Sequence, residues 1–246
     1  MRPSRHLGLL ASLLVAGLAA SAVLPGDERA MRQPRTEWFV IEEVGPGGRP
    51  EAVGVARVSR RTRPGATLLE RDLVLARGDR AAGLVRVFAV EELAPEHARL
   101  SWREVASGSG RTLRAEWLAG GDSLDVTEWG NGPRLREELG SDEGALLPHY
   151  LLEILRRGGM TAGSVPVFEP LSRSIERVEI STYHDPAGRA RTVELARRDG
   201  TLAGRYRFEG DRLVGFQWQE GGAFARPVDE AEHARIEREL AREPGA

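Results

Sequence analysis

The feature that most constrains this chain is a two-residue alternation of apolar and polar side chains that returns segment after segment between Thr36 and Trp218. A strand sends successive side chains to opposite faces, so the pattern describes sheet with one apolar and one polar side. In RTLRAEW (111–117), Leu113, Ala115 and Trp117 share one face, while Arg114 and Glu116 share the other. In LAGRYRFEGDRLVGFQWQ (202–219), Leu202, Tyr206 and Phe208 oppose Arg205 and Arg207. A Gly210-Asp211 turn follows, and Val214, Phe216 and Trp218 then alternate with Gly215 and Gln217, which makes a hairpin. Comparable stretches cover 36–44, 52–59, 66–77, 84–93, 98–106, 123–129, 174–183 and 191–197. About eleven strands at close spacing, with no helix among them before Gly144, predict antiparallel meanders and exclude a βαβ fold.

Two segments depart from this period. In GALLPHYLLEILRRGG (144–159), Leu147, Tyr150, Leu151, Ile154 and Leu155 form one apolar helical stripe. Pro148 suits the first turn of that helix and Gly158-Gly159 its end. The stripe needs an apolar partner, and the inward side of the sheet supplies it. The expectation is a mainly β (β-rich α+β) fold: a curved antiparallel half-barrel with an internal plug helix at about 146–157. His149, Glu153 and Arg156 then fall on the far side of the helix as solvated residues. A second helix is expected at about 229–241. Asp229 and Glu232 have capping-box spacing there, and Ile236 and Leu240 give a thin apolar face that lies loosely on the domain or engages a partner.

The amino terminus reads as an export signal. Arg2 and Arg5 precede the apolar run Leu7–Ala20, and Ala20-Ser21-Ala22 is the small-residue pattern that a signal peptidase requires. The run is short for a bilayer span of about 20 residues. Residues 1–22 are therefore expected to be a cleaved signal, 23–35 a linker and 36–246 one β-rich domain in the periplasm or cell envelope. The alternative is a chain anchored by the uncleaved leader.

Composition removes whole classes of chemistry. All 35 basic residues are arginine, so no lysine is available for a Schiff base or a P-loop clamp, and the chain has no cysteine. A net charge of −2 argues against a polyanion-binding surface, and no nucleic-acid partner is expected. The segment Gly121-Asp122-Ser123-Leu124 spells the signature of GDSL serine hydrolases, which makes a Ser123–His233 hydrolase a remote alternative. It lies mid-chain at a hairpin turn, however, and Asn131 lacks the aspartate that follows in that family. SGSG (107–110) lacks the spacing of a nucleophile elbow. His97, His184 and His233 are scattered, so neither a metal nor another cofactor is expected. The acid pairs Glu42-Glu43, Glu91-Glu92 and Glu137-Glu138 read as solubility features, since neighbours in a strand face opposite ways. RVSRRTR (57–63) reads as a solvated hairpin end, or alternatively as a contact for anionic headgroups.

The order of leader, successive hairpins, helix with return strand (146–180) and closing meander (194–222) resembles the exported half-barrel proteins of LolA/LolB type and their uncharacterised bacterial relatives. That resemblance implies an extracytoplasmic, non-enzymatic protein whose concave sheet binds a lipid, another hydrophobic ligand or a partner segment. Membrane contact would come only through the leader. The other reading is a purely structural or partner-interaction module of the envelope. Candidate concave-face contacts are Trp102, Trp117, Tyr150, Ile154, Phe216 and Trp218, which serve equally as core.

Overall fold

A computed structural model describes residues 34–242, apart from 46, 77–82, 107–108, 119–122, 131, 142–143 and 219–222. The expected signal peptide and nearly all of the expected linker lie outside the described residues, as do Gly120–Asp122, Ser107 and Asn131. The first meander runs through Arg35–Val44 (β1), Pro50–Arg63 (β2), Ala66–Ala76 (β3), Leu84–Ala94 (β4), His97–Ala106 (β5), Ser109–Leu118 (β6), Ser123–Gly130 (β7) and Leu135–Gly140 (β8). The helix Pro148–Arg156 (α1) follows. A second meander then runs through Ala162–Glu169 (β9), Ser174–His184 (β10), Ala190–Arg197 (β11), Leu202–Glu209 (β12), Arg212–Trp218 (β13) and Phe224–Val228 (β14), and Glu230–Ala241 (α2) ends the described chain.

These strands form one antiparallel sheet of 14 in the order β8-β7-β6-β5-β4-β3-β2-β1-β14-β13-β12-β11-β10-β9. The two meanders are joined where β14 pairs with β1, Phe39 opposite Pro227 and Ile41 opposite Ala225. The strands at the two sheet edges, β8 and β9, are therefore consecutive in the chain, and α1 lies in the connection between them. That connection crosses the hollow of the curved sheet because its leucines must leave water. On the way Leu146 makes a single parallel bridge to Val167 of β9, its N–H donating to Pro166 O at 2.9 Å.

Curvature has local causes. Registers slip at Ile41/Glu42, at Leu195/Ala196 and at Arg207/Phe208, and such bulges bend and twist a strand pair. Beside the first slip, Gly54 lets β2 approach β3 closely, since a Cβ there would sit 2.5 Å from Val74 O. Strands β8, β9 and β14 were not among those expected. Leu135–Gly140 does not alternate in burial, and Pro166 and Pro227 interrupt the other two segments. Proline is tolerated in β9 because it is an edge strand. In β14, Pro227 lies beyond the short ladder to β13.

The inward face packs on α1 in two clusters. One joins Phe39, Ile41 and Leu73 to Val193, Phe208 and Phe216, with Leu151, Leu152 and Leu155 of α1 among them. The other gathers Leu100, Trp102, Leu113 and Val126 around Leu147 and Phe168. On the outer face, Val40, Val55 and Val74 meet Ile236, with Leu240 packed alongside, so α2 is docked on β1–β3 rather than loose. Asp229 caps α2, accepting from Glu232 N–H at 2.7 Å.

His233 of α2 is 7% exposed, and its ring meets Trp38 edge-on at 4.8 Å. Burial lowers its pKa from 6.5. Glu237 and Asp72 partly offset that shift, and Arg57 and Arg86 reinforce it. A group whose folded pKa is depressed withholds stability only as pH falls from its unfolded value through its folded one. Thermal unfolding followed from about pH 7.5 to about 5 should therefore show a loss of stability that begins near the ordinary histidine pKa. In His233→Phe, which keeps a ring against Trp38, that increment should be absent.

Candidate functional site

The first turn of α1 has no side-chain cap of its own, because Leu147 stands at the N-cap and Pro148 opens the helix. Its free N–H groups are taken by Glu91 of β4. His149 N donates to Oε1 at 2.8 Å and Tyr150 N to Oε2 at 2.7 Å. Glu91 is 0% exposed, so this carboxylate is not a solubility feature. It is a buried carboxyl group that accepts from two backbone N–H donors at the N-terminal end of the helix. The Nδ1 of His149 also lies 2.8 Å from Glu91 Oε1, outside the alignment of a hydrogen bond. His149 is 5% exposed and not solvated. The expectation of a wet face assumed a helix lying on a sheet, whereas α1 lies within one and is covered on several sides.

The same correction applies at the other end. Arg156 is 3% exposed, and its guanidinium grips Glu37 of β1 with two bonds of 2.9 and 2.7 Å. It also donates to Asp211 O at 3.1 Å, and its Nε lies 3.0 Å from Glu153 Oε1. Glu153 in turn accepts from Arg60 of β2 at 3.0 Å. Burial alone would lower the Arg156 pKa. The bonds to Glu37 and the charges of Glu153, Glu37 and Asp211 more than offset this, and the pKa is raised. Arg35 closes the ring, 3.2 Å from Glu37 and 2.8 Å from Asp211, and holds the Asp211 carboxyl below its ordinary value despite opposing desolvation.

Around this ring opens a cleft of about 460 Å³, lined chiefly by Arg60, Arg156, Arg157, Arg189, Arg191 and Asp211. Its walls are the C-terminal end of α1, the β10–β11 turn and the β12–β13 turn. Gly158, at φ 68, ends the helix here, and a Cβ on it would come 3.0 Å from the Arg191 guanidinium. Arg191 donates to Arg156 O at 2.8 Å, which satisfies one of the last carbonyls of α1, and lies 5.0 Å over the Phe208 ring. A second cleft, of about 390 Å³, opens at the far side of the first meander between Glu104, Arg111, Glu128 and Trp129.

The predicted contact residues whose side chains are described are spread through the core and along α1. Trp102 is buried in the second cluster, with Trp117 and Tyr150 half-buried against it, and Phe216 belongs to the first cluster. Ile154 is half-buried near Gly159. Trp218 lies in β13 opposite Gly204. Ser123 does not meet His233. Its Oγ donates to Glu138 at 2.6 Å, and four strands separate β7 from β2, over which α2 lies. The basic stretch 57–63 is not simply solvated. Ser59 and Arg60 are buried, and Arg61 pairs with Glu70 at 2.5 Å. Among the described residues no three His, Asp or Glu side chains gather as metal ligands, and no helix is long and apolar enough to cross a membrane.

Sequence reasoning missed Glu37, Arg60, Glu91 and Arg191 as members of this site. The signal was present, because each falls on the inward parity of its strand. Glu37 shares its face with Phe39 and Ile41, Arg60 with Ala56 and Val58, Glu91 with Val87 and Ala89, and Arg191 with Val193 and Leu195.

No protein-family model matches the chain, and no curated protein matches it. Among solved structures, a β-barrel-like protein of a domain of unknown function, DUF1849, from Brucella abortus superposes with a TM-score of 0.59. The match covers 80% of this chain and 97% of that one at 8% identity. A likeness at that identity shows the fold: a mainly β, barrel-like protein.

Removing Arg156 alone leaves Glu37 and Glu153 short of their countercharge inside the molecule. Arg156→Met should cost about 3–5 kcal/mol in urea unfolding. Glu37→Leu combined with Arg156→Met should recover a large part of that loss, giving a double-mutant coupling above about 1 kcal/mol.

Proposed function

We propose that the chain is a non-enzymatic scaffold of the bacterial cell envelope, exported through residues 1–22, whose hollow is filled by its own helix and whose binding face is the rim around the α1 terminus. The observation that carries this reading is the burial of the α1 leucines. Leu147 and Leu155 are 1% and 0% exposed, and Leu151 and Leu152 stay below a tenth. In a carrier of LolA/LolB type the equivalent hollow shelters acyl chains. Here a guest of that kind would have to displace α1, break the Arg156–Glu37 pair and strip Glu91 of its donors, each step costing on the order of 1–5 kcal/mol. The layout shared with those carriers is kept in this reading, and the lipid cargo is not.

The non-enzymatic part rests on geometry and composition together. The hydroxyl and imidazole that a hydrolase would need lie on different parts of the sheet, and lysine and cysteine are absent from the whole chain. Export rests on the leader alone, on its arginines, apolar run and small-residue end.

Protein recovered from the envelope fraction of an expressing bacterium should have the intact mass of a chain beginning at Val23. Its organic extract should contain no lipid near one equivalent, and neutral N-phenyl-1-naphthylamine should not brighten on the native protein. Stoichiometric lipid would defeat the filled-hollow reading. An unprocessed chain confined to the cytoplasm would defeat export.

A further inference from the structure

The cleft at the α1 C-terminus carries more positive charge than its surroundings neutralise. Arg60 and Arg156 are committed to Glu153 and Glu37, and Arg35 to Glu37 and Asp211. Among the described residues, Arg157, Arg189 and Arg191 have no carboxylate partner. The acid nearest in sequence, Asp185, turns its carboxylate to the backbone N–H of Arg189 at 2.6 Å. Arginines thus outnumber acids around this opening, in a chain whose net charge is −2.

The arrangement is also built in advance of a ligand. Arg191 is fixed by its bond to Arg156 O and by the Phe208 ring beneath it. Burial lowers its pKa, and no acid offsets the shift. That is what a guanidinium partly screened from water, with no counterion beside it, should show. Arg157 comes from the end of α1 and Arg189 from the β10–β11 turn, so the three cations approach the opening from separate elements. Glycines at 158, 188 and 210 keep its mouth free of side chains. Guanidinium groups present planar forks that match carboxylate and phosphate oxygens, and about 460 Å³ falls in the usual range for small-molecule sites.

We propose that this cleft is an anion-binding site that takes a small molecule or headgroup bearing a phosphate or clustered carboxylates, held by Arg157, Arg189 and Arg191. The proposal rests on the reading of the rim as the binding face. Lipid found in the hollow would defeat that reading while leaving a titration of the cleft interpretable.

The experiment titrates the mature protein with inorganic pyrophosphate and with citrate by calorimetry at low and moderate salt, beside vesicles containing phosphatidylglycerol. One pyrophosphate or citrate per chain is expected, weakened at least tenfold in Arg157→Gln/Arg189→Gln and in Arg191→Gln. Arg205→Gln, whose arginine pairs with Glu194 on another part of the sheet, should bind as the parent does. Should Arg191→Gln fail to fold, the double variant decides, since its two arginines hold no carboxylate in the fold. Vesicle capture that pyrophosphate competes away would support the site and identify the anion as a headgroup, whereas binding of the soluble anions without vesicle capture would support it with a free solute. No saturable binding at millimolar anion, or equal loss in Arg205→Gln, would overturn the proposal. So would vesicle capture that neither pyrophosphate nor the double variant disturbs.

Discussion

A carboxylate with no solvent around it holds the first turn of α1, and the rest of the architecture follows from where that turn must sit. Glu91 projects from the inward side of β4 and accepts from two N–H groups that a helix starting with Pro148 leaves open. A carboxyl group buried in such a place is tolerable only while those donors and the helix dipole face it. The insertion of α1 and the burial of Glu91 are therefore one event, since neither is tolerable without the other. The leucines of α1 then knit the two clusters together across the sheet, and a domain with no disulfide gains a single continuous interior.

The opposite end of the helix is treated with the opposite sign. Its last turn carries Arg156, and Arg191 reaches the carbonyl of Arg156 from β11. An acid at the start and arginines at the end match the partial charges of the helix. Because Arg156 is itself buried, it needs acids of its own, and Glu37 with Glu153 supply them. Burying such a ring is a poor route to stability but a strong constraint on register. A helix shifted by one residue would lose both the Glu91 cap and the Glu37 grip.

Period-two alternation made the sheet legible because each strand buries one face, and the leucine spacing made α1 legible because it too needs a covered stripe. Strands β8 and β9 were hidden for a physical reason. They are the edges, where one neighbour is missing and the alternation that betrays a strand is weak or broken by proline. The site was harder to see. Helical-wheel reasoning placed His149, Glu153 and Arg156 in water because it allows a helix one dry side. Glu91 is informative not beside Glu92 but beside Val87 and Ala89, whose face it shares. A charged residue on the apolar parity of a strand predicts a buried partner: Glu37, Arg60, Glu91 and Arg191 each find theirs on α1, and Arg111 and Glu128, which share that parity in β6 and β7, find theirs in each other. What sequence could not supply was the pairing of β1 with β14, which sets Glu37 beside the β12–β13 turn although 174 positions separate it from Asp211.

The filled hollow also decides where such a sheet can meet other molecules. Its edges are poor templates for a foreign strand. Strand β8 carries Arg136, Glu137 and Glu138, and the open side of β9 is broken by Pro166 and partly occupied by Leu146. The outer face over β1–β3 is covered by α2, and many strand arginines elsewhere are paired across strands, as Arg86 is with Asp72 and Arg205 with Glu194. Cross-strand pairs of that kind leave little net field at the surface. Where α1 ends the pairing stops, because the acids within reach already serve Arg156, Arg60 and Arg35. Placing a helix inside a sheet thus consumes the local acids and leaves the neighbouring arginines exposed to whatever anion the surroundings provide.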